Sequence, residues 1–241
     1  MKILFIRHGD PDYEHDTLTE RGFEEAEILS EYLKNLPIKA FYVSPLGRAQ
    51  ATAAPALRKM GMTATTCDWL KEFSLVLTDP VTGEKRIPWD FKPSEWLDIP
   101  QYQDPDKWFT TPFMRTGPIE ETAREVYAGF DSILASHGYR REGRWYRAER
   151  PNRDTIAFVC HFGVECLLLS YLYHVSPVLL WHYTLARTTS VTTLASEERE
   201  EGIALFRCLS YGDVSHLSIA KKEPTFAGRF CERYIDMDER H

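Results

Sequence analysis

Apolar residues along the chain fall into two periods. Lys2-Ile3-Leu4-Phe5-Ile6, Phe41-Tyr42-Val43-Ser44 and Ile156-Ala157-Phe158-Val159-Cys160 are short, nearly continuous apolar runs, as expected of strands buried on both faces. Between the first two, Phe23, Ala26, Leu29, Leu33 and Leu36 recur at helical spacing and stop before Pro37. Thr19 is the expected N-cap of that helix, with Glu20, Glu24, Glu25 and Glu27 weighted toward its positive end. An alanine-rich helix is predicted from about Gly47 to Lys59, which Pro55 should kink or shorten. Another is predicted from Ile119 to His137. A helix starting near Gly163 is apolar almost all round, as a buried helix should be.

Thr78 to Pro118 has neither period. It holds seven of the 14 prolines, together with Trp89, Phe91, Trp96, Trp108 and Phe109. Stretches this long without clear elements are uncommon inside a domain unless they form a lid or binding loop. The expectation is an insertion of short helices whose aromatics pack on the parent domain. Tyr139 to Arg153 carries six arginines, interrupted by Glu142 and Glu149, and reads as a solvated hairpin. Ser190 to Leu194 and Ile203 to Cys208 read as two strands joined by the charged turn Ser196 to Gly202. Strands alternating with helices predict one domain over residues 1–241, a three-layer α/β/α sandwich around a mostly parallel sheet.

Composition narrows the function classes. With 241 residues, a net charge of −7 and a pI near 5.7, a general nucleic-acid or membrane-surface role is not expected, though a local basic pocket is compatible. Five cysteines without a Cys-x-x-Cys pair fit buried thiols in a reducing compartment. The N-terminal apolar run is too short for a signal peptide, and Val164 to Leu172 is too short to span a bilayer. A soluble cytoplasmic protein is the expectation.

The strand ends hold the chemistry. Two buried runs stop at His8 and His161, and the third leads through Pro45-Leu46-Gly47 to Arg48. In a parallel sheet such ends share one edge, where α/β proteins bind ligands. Arg7, His8, Arg48 and His161 would therefore converge into a site for a dianion such as a phosphoryl group. The planar guanidinium fork binds phosphate oxygens bidentately and keeps its charge.

Arg7-His8-Gly9, Ser44-Pro45-x-x-Arg48-Ala49-x-x-Thr52 and His161 resemble the histidine phosphatase superfamily, the phosphoglycerate-mutase-like fold. Leu18-Thr19-Glu20-Arg21-Gly22 and Gly212-Asp213-Val214-Ser215-His216-Leu217 fit the same pattern, in order along the chain. The resemblance implies that His8 is a nucleophile that becomes phosphohistidine, with Arg7, Arg48 and His161 holding the transferring oxygens. It implies Glu72 as the carboxylic acid that protonates the leaving alkoxide and then activates water. No metal or other cofactor is implied.

The chain also departs from that pattern. Asp10-Pro11-Asp12-Tyr13 follows Gly9 where a Thr and an Asn are usual, which leaves Tyr13 as a substitute donor. Phe162 replaces a glycine after His161, and the loop after Glu72 lacks the usual Gly-x-Trp-Glu-Gly. Arg115 is a further candidate for a second charge on the substrate. His216 reads either as a group near the site or as packing at a strand end. His15, His137, His174, His182 and His241 read as structural or solvated. The leading expectation is a phosphatase acting on a small phosphomonoester, ahead of a phosphoglycerate mutase and of a silent phosphate-binding module.

Overall fold

Alternate burial along the first strand decides the architecture. In β1 (Lys2–Arg7), Ile3 and Phe5 pack into one apolar cluster while Leu4 and Ile6 pack into another. A strand buried on both sides needs a layer of helices on each. The computed structural model describes residues 1–239, so His241 lies outside the described residues. Its sheet has eight strands. After β1 come β2 (Ile38–Val43), β3 (Ala64–Thr66), β4 (Tyr139–Glu142), β5 (Trp145–Ala148), β6 (Thr155–Cys160), β7 (Val191–Glu200) and β8 (Ile203–Asp213). They lie in the order β3-β2-β6-β1-β7-β8-β5-β4.

The core of the sheet, β3-β2-β6-β1, is parallel throughout. From β1 outward the pairings with β7, β8, β5 and β4 are antiparallel. Helices α1 (Glu20–Leu33) and α2 (Gly47–Met60) supply Leu29, Leu33, Ala49 and Ala53 to one cluster. Helices α3 (Ile119–Ser136) and α4 (Phe162–Tyr173) supply Phe130, Leu134, Leu167 and Leu168 to the other. Thr19 caps α1, its hydroxyl accepting from the Gly22 N–H at 3.0 Å. Among the described residues no helix is long and apolar enough to cross a membrane.

Several elements differ from their sequence expectation. Helix α2 runs through Pro55 to Met60 and is not shortened, ending on the left-handed Gly61. Strands β7 and β8 extend through the segment expected as a charged turn, and only Glu201-Gly202 turns. Along β7 this part of the ribbon carries charged residues, with Glu197 pairing across it with Arg207 at 2.9 Å, while β8 buries Ala204 and Phe206 on one face. The arginine-rich segment is a hairpin, β4–β5, but it extends the sheet and buries Tyr139 and Tyr146. Its arginines are neutralised locally, Arg140 by Glu149 at 2.7 Å and Arg147 by Glu142 at 2.6 Å.

The 78–118 stretch folds into a short ladder of Leu77–Thr78 with Lys85–Arg86, followed by single helical turns. Arg86 organises it, pairing with Asp79 at 2.8 Å and Glu95 at 2.7 Å while lying over the rings of Phe91 and Phe113. Trp96, Tyr102 and Trp108 are buried in one cluster with Phe73 and with Trp181 of α5 (Pro177–Tyr183). Tertiary packing of rings therefore replaces the backbone ladders that proline forbids.

Close approach of α1 to the loop after β1 requires Gly22. A Cβ there would lie 2.2 Å from the Asp10 carbonyl oxygen, so the loop that follows His8 would have to move. Overpacking of this kind costs about 2 kcal/mol, and in a chain of this size Gly22→Ala should lower the melting temperature by roughly 4–8 °C. Thermal unfolding checks this, and an unchanged midpoint would show that the loop is not clamped.

Candidate active site

Backbone hydrogen bonds from both halves of the sheet fix the loop that ends β1. The His8 N–H donates to Cys160 O at 3.0 Å, the Arg7 N–H to Ser190 O at 3.1 Å, and the Thr189 N–H to His8 O at 3.2 Å. From the helical layer, Thr52 Oγ1 accepts the Gly9 N–H at 2.9 Å and donates to Arg48 O at 2.7 Å. The His8 ring is buried, and its Nδ1 lies 2.7 Å from the Gly9 carbonyl. A carbonyl oxygen only accepts, so Nδ1 carries the proton and Nε2 keeps a lone pair. Burial, then the charges of Arg7 and Arg48, hold the ring pKa down at about 3 despite the Gly9 contact. His8 is thus a neutral, oriented imidazole among cations.

His161 closes β6 and caps α4, with its ring centroid 5.0 Å from that of His8. Its Nε2 meets Ser44 Oγ at 2.8 Å, and burial next to His8, Arg48 and Arg7 lowers its pKa well below the ordinary histidine value. Arg48, in the first turn of α2, is held by Asp16 at 2.8 Å and lies over the Tyr13 ring at 5.4 Å. The Gly47 N–H donates to the same carboxylate at 2.7 Å. Arg7 donates to Ala186 O at 2.7 Å and to Ala227 O at 3.3 Å. Three nitrogens here, Arg7 Nε, Arg48 Nε and His161 Nδ1, are buried without a hydrogen-bond partner. Unpaired buried donors such as the two guanidinium nitrogens are costly, and with their charges acting on one imidazole the group suits an oxyanion.

Glu72 faces this group from the opposite side. Its Oε1 accepts from the Phe73 N–H at 2.8 Å and the Val164 N–H at 3.1 Å, at the start of α4. Burial raises its carboxyl pKa above the ordinary value, and this outweighs the pull of those N–H groups and of Arg7. Gly163 makes room for it: a Cβ there would lie 2.6 Å from both Glu72 Oε1 and Trp89 Nε1. The Trp89 indole is itself fixed, donating to Phe73 O at 2.8 Å. One turn into α4, Glu165 is fully buried, and burial lifts its carboxyl to about 7 against the pull of Thr192 and Arg7.

A cleft of about 750 Å³ opens from Arg7 and Glu72, and Tyr13 lines it. Trp89, Phe91, Trp96, Phe162, Trp181 and Tyr183 form much of its wall, and the C-terminal Gly228-Arg229-Phe230 completes it. His8, Arg7, Arg48, His161, Glu72 and Tyr13 are therefore brought together. Arg115 is not: it lies on a different cavity with Glu120, Glu121 and Arg124. The single helical turn Met114–Thr116 carries it there, a placement set by packing of the insertion.

The remaining histidines divide by surroundings. His15 pairs with Asp12, His137 with the Tyr42 hydroxyl and His174 with Asp106. His182 lines the cleft, stacked on Phe91. His216 meets Thr189 Oγ1 at 3.2 Å, so it supports the backbone that binds His8. Ser44 lay inside a quoted motif without a role, and neither Asp16, Glu165 nor the segment 225–230 carried a local sequence mark. Their roles come from contacts spanning 32 residues for Asp16 and Arg48 and 117 for Ser44 and His161.

The family model of the histidine phosphatase superfamily (branch 1) matches residues 3–208, a span that stops short of Gly212–Leu217. A 2,3-bisphosphoglycerate-dependent phosphoglycerate mutase of Thermoplasma acidophilum is 41% identical over 64 residues, 22% of this chain and 32% of its own length. The matched part thus spans about a third of that relative. Among solved structures, a phosphoserine phosphatase mutant from Entamoeba histolytica in complex with phosphoserine superposes with a TM-score of 0.60 at 19% identity, covering 90% of this chain and 98% of the other. A mycobacterial glucosyl-3-phosphoglycerate phosphatase gives 0.57 at 18% identity, covering 88% and 98%. These likenesses establish the shared fold, and the model match over most of the chain establishes descent: the protein belongs to the histidine phosphatase superfamily, branch 1.

Proposed function

We propose that the protein is a phosphatase that hydrolyses phosphomonoesters through a phosphohistidine on His8. The observation that carries the reading is the buried His8 imidazole, its Nδ1 tied to Gly9 O at 2.7 Å, ringed by the unpaired buried nitrogens of Arg7, Arg48 and His161. In the first step the His8 Nε2 lone pair bonds to phosphorus and the phosphorus–oxygen bond to the alcohol breaks in line. The departing oxygen takes its proton from the Glu72 carboxyl, while Arg7, Arg48 and His161 hold the equatorial oxygens. In the second step the Glu72 carboxylate removes a proton from water as its oxygen bonds to phosphorus; the phosphorus–Nε2 bond breaks, its electron pair returns to neutral His8, and inorganic phosphate leaves. The raised carboxyl pKa of Glu72 suits both halves, since the group must carry a proton first and accept one later.

The 64-residue likeness to a mutase supports a second reading, return of the phosphoryl group to another hydroxyl of the same molecule. A mutase must hold a doubly phosphorylated, highly charged intermediate while it reorients. The aromatic walls of the cleft offer few cations for that, which favours water as the acceptor.

Three outcomes test this reading. His8→Ala should abolish hydrolysis of p-nitrophenyl phosphate, by at least about a thousandfold in kcat/KM; activity equal to that of the parent chain would overturn the nucleophile. With 3-phosphoglycerate, with and without added bisphosphoglycerate, free phosphate should accumulate faster than 2-phosphoglycerate. Fast interconversion with little free phosphate would make the protein a mutase. For alkyl phosphates the acid must be protonated, so kcat/KM should fall as pH rises through the raised pKa of Glu72. Glu72→Gln should flatten that limb and lower alkyl phosphate turnover by about 10²–10⁴-fold. With p-nitrophenyl phosphate, whose leaving group needs no proton, it should leave a burst of nitrophenolate of about one equivalent followed by slow turnover. A Glu72→Gln profile identical to that of the parent chain would assign the proton to another group.

A further inference from the structure

The cleft in front of Arg7 and Glu72 has a chemical character of its own. A site of about 750 Å³ has room for a group far larger than phosphate. Its walls come from three separate parts of the chain: Trp89, Phe91 and Trp96 of the 78–118 insertion, Trp181 and Tyr183 of α5, and Phe230 of the C-terminal segment. The rings are fixed by one another. Trp96 lies 4.9 Å from the His182 ring and 5.2 Å from that of Tyr183, Phe91 stacks on His182, and Trp181 packs on Phe73 and Trp108.

The cations and the histidine along the same walls already have partners. Arg7 donates to Ala186 O and faces the phosphate position, and Arg229 pairs with Glu232 at 2.5 Å. His182 is tied at both nitrogens, to Val178 O at 2.8 Å and the Phe91 N–H at 3.3 Å, and burial lowers its pKa. A substrate carboxylate entering this cleft would lose water and have to compete with Glu232 for Arg229 and with the phosphate for Arg7, which is unfavourable. An apolar group would instead release water from both surfaces.

We infer that the alcohol part of the substrate is large, uncharged and apolar, seated on the aromatic wall formed by the insertion, α5 and the C-terminal segment. This rests on the phosphatase reading above and extends it to the choice of substrate. Specificity then comes from burial of the leaving group, whereas the shared cradle binds only the phosphate.

Three esters isolate this effect: 2-(1-naphthyl)ethyl phosphate and ethyl phosphate, whose leaving groups have matched basicity, and phosphoserine, whose charged leaving group is the more acidic and so gives the apolar ester no advantage in the chemical step. The naphthylethyl ester should exceed each of the others by at least about tenfold in kcat/KM, a difference within reach of the ring's buried area. Equal or better turnover of phosphoserine by an enzyme that His8→Ala inactivates would overturn the inference and leave the phosphatase reading intact. If no ester is hydrolysed above the His8→Ala background, the phosphatase reading fails, and binding decides the inference alone. Calorimetry on His8→Ala should then give tighter binding of the naphthylethyl ester than of phosphoserine, and the reverse order overturns it. Leu97 and Tyr183 line the cleft yet are 43% and 68% exposed, so Leu97→Arg and Tyr183→Arg should fold. Each should shift the naphthylethyl-to-phosphoserine ratio toward phosphoserine by at least about threefold; an unmoved ratio in both would place the leaving group elsewhere.

Discussion

A carbonyl oxygen can only accept, and the Gly9 carbonyl sits 2.7 Å from His8 Nδ1. That contact commits the imidazole to one tautomer, with its lone pair at Nε2, and much of the surrounding structure keeps the arrangement in place. The carbonyl is held because the Gly9 N–H is held by Thr52, and Thr52 is in turn bonded to the backbone of the residue that supplies Arg48. Burial between two guanidinium groups then keeps the ring neutral. Positive charge around a neutral imidazole favours an anion beside it without protonating the free ring nitrogen. Either feature alone would be less useful: a solvated histidine would titrate near neutrality, and an uncharged pocket would not hold phosphate.

The sheet puts this constraint where two regimes of strand pairing meet. The parallel strands β2, β6 and β1 end on one edge and deliver Ser44, His161 and His8 together. The antiparallel strand β7 brings up Thr189 and Ser190, whose backbone groups bind His8 and Arg7. The histidine cluster is therefore rooted in paired strands, while the cleft walls come from helical turns and a C-terminal segment held mainly by ring packing and a few ion pairs. Rigid cradle and variable wall occupy different structural classes, which lets one change without the other.

How much of this was legible in the sequence depends on the range of the cause. His8, His161, Arg7 and Arg48 could be read because a buried strand advertises its end, and the ends of parallel strands meet by topology. The same logic gave the layers and the helix cap at Thr19. Asp16 was invisible because its task, fixing Arg48 and the Gly47 N–H, exists only once the loop folds back on α2. The length of β7 was hidden because its outer half, Ser196 to Glu200, is a run of charged and polar residues with no apolar period. Arg115 was a reasonable cation to consider, but the turn that carries it faces Glu120 and Arg124 and not the cleft. His182 gave no local indication either; it reaches the cleft only through the packing of the insertion against α5.

Helix α4 is the element whose importance is easiest to underrate. Nearly every one of its 12 residues is buried, so it looks like simple core. Its first turns donate N–H groups to Glu72, and a helix places about half a positive charge at that end. Buried apolar surroundings leave that field almost unscreened by solvent. Negative charge on Glu72 would lie at a pole that favours it, so the hydrophobic helix has an electrical consequence. Leucines that do not line the cleft thereby help set the energy of a carboxylate at the other end of the same rod.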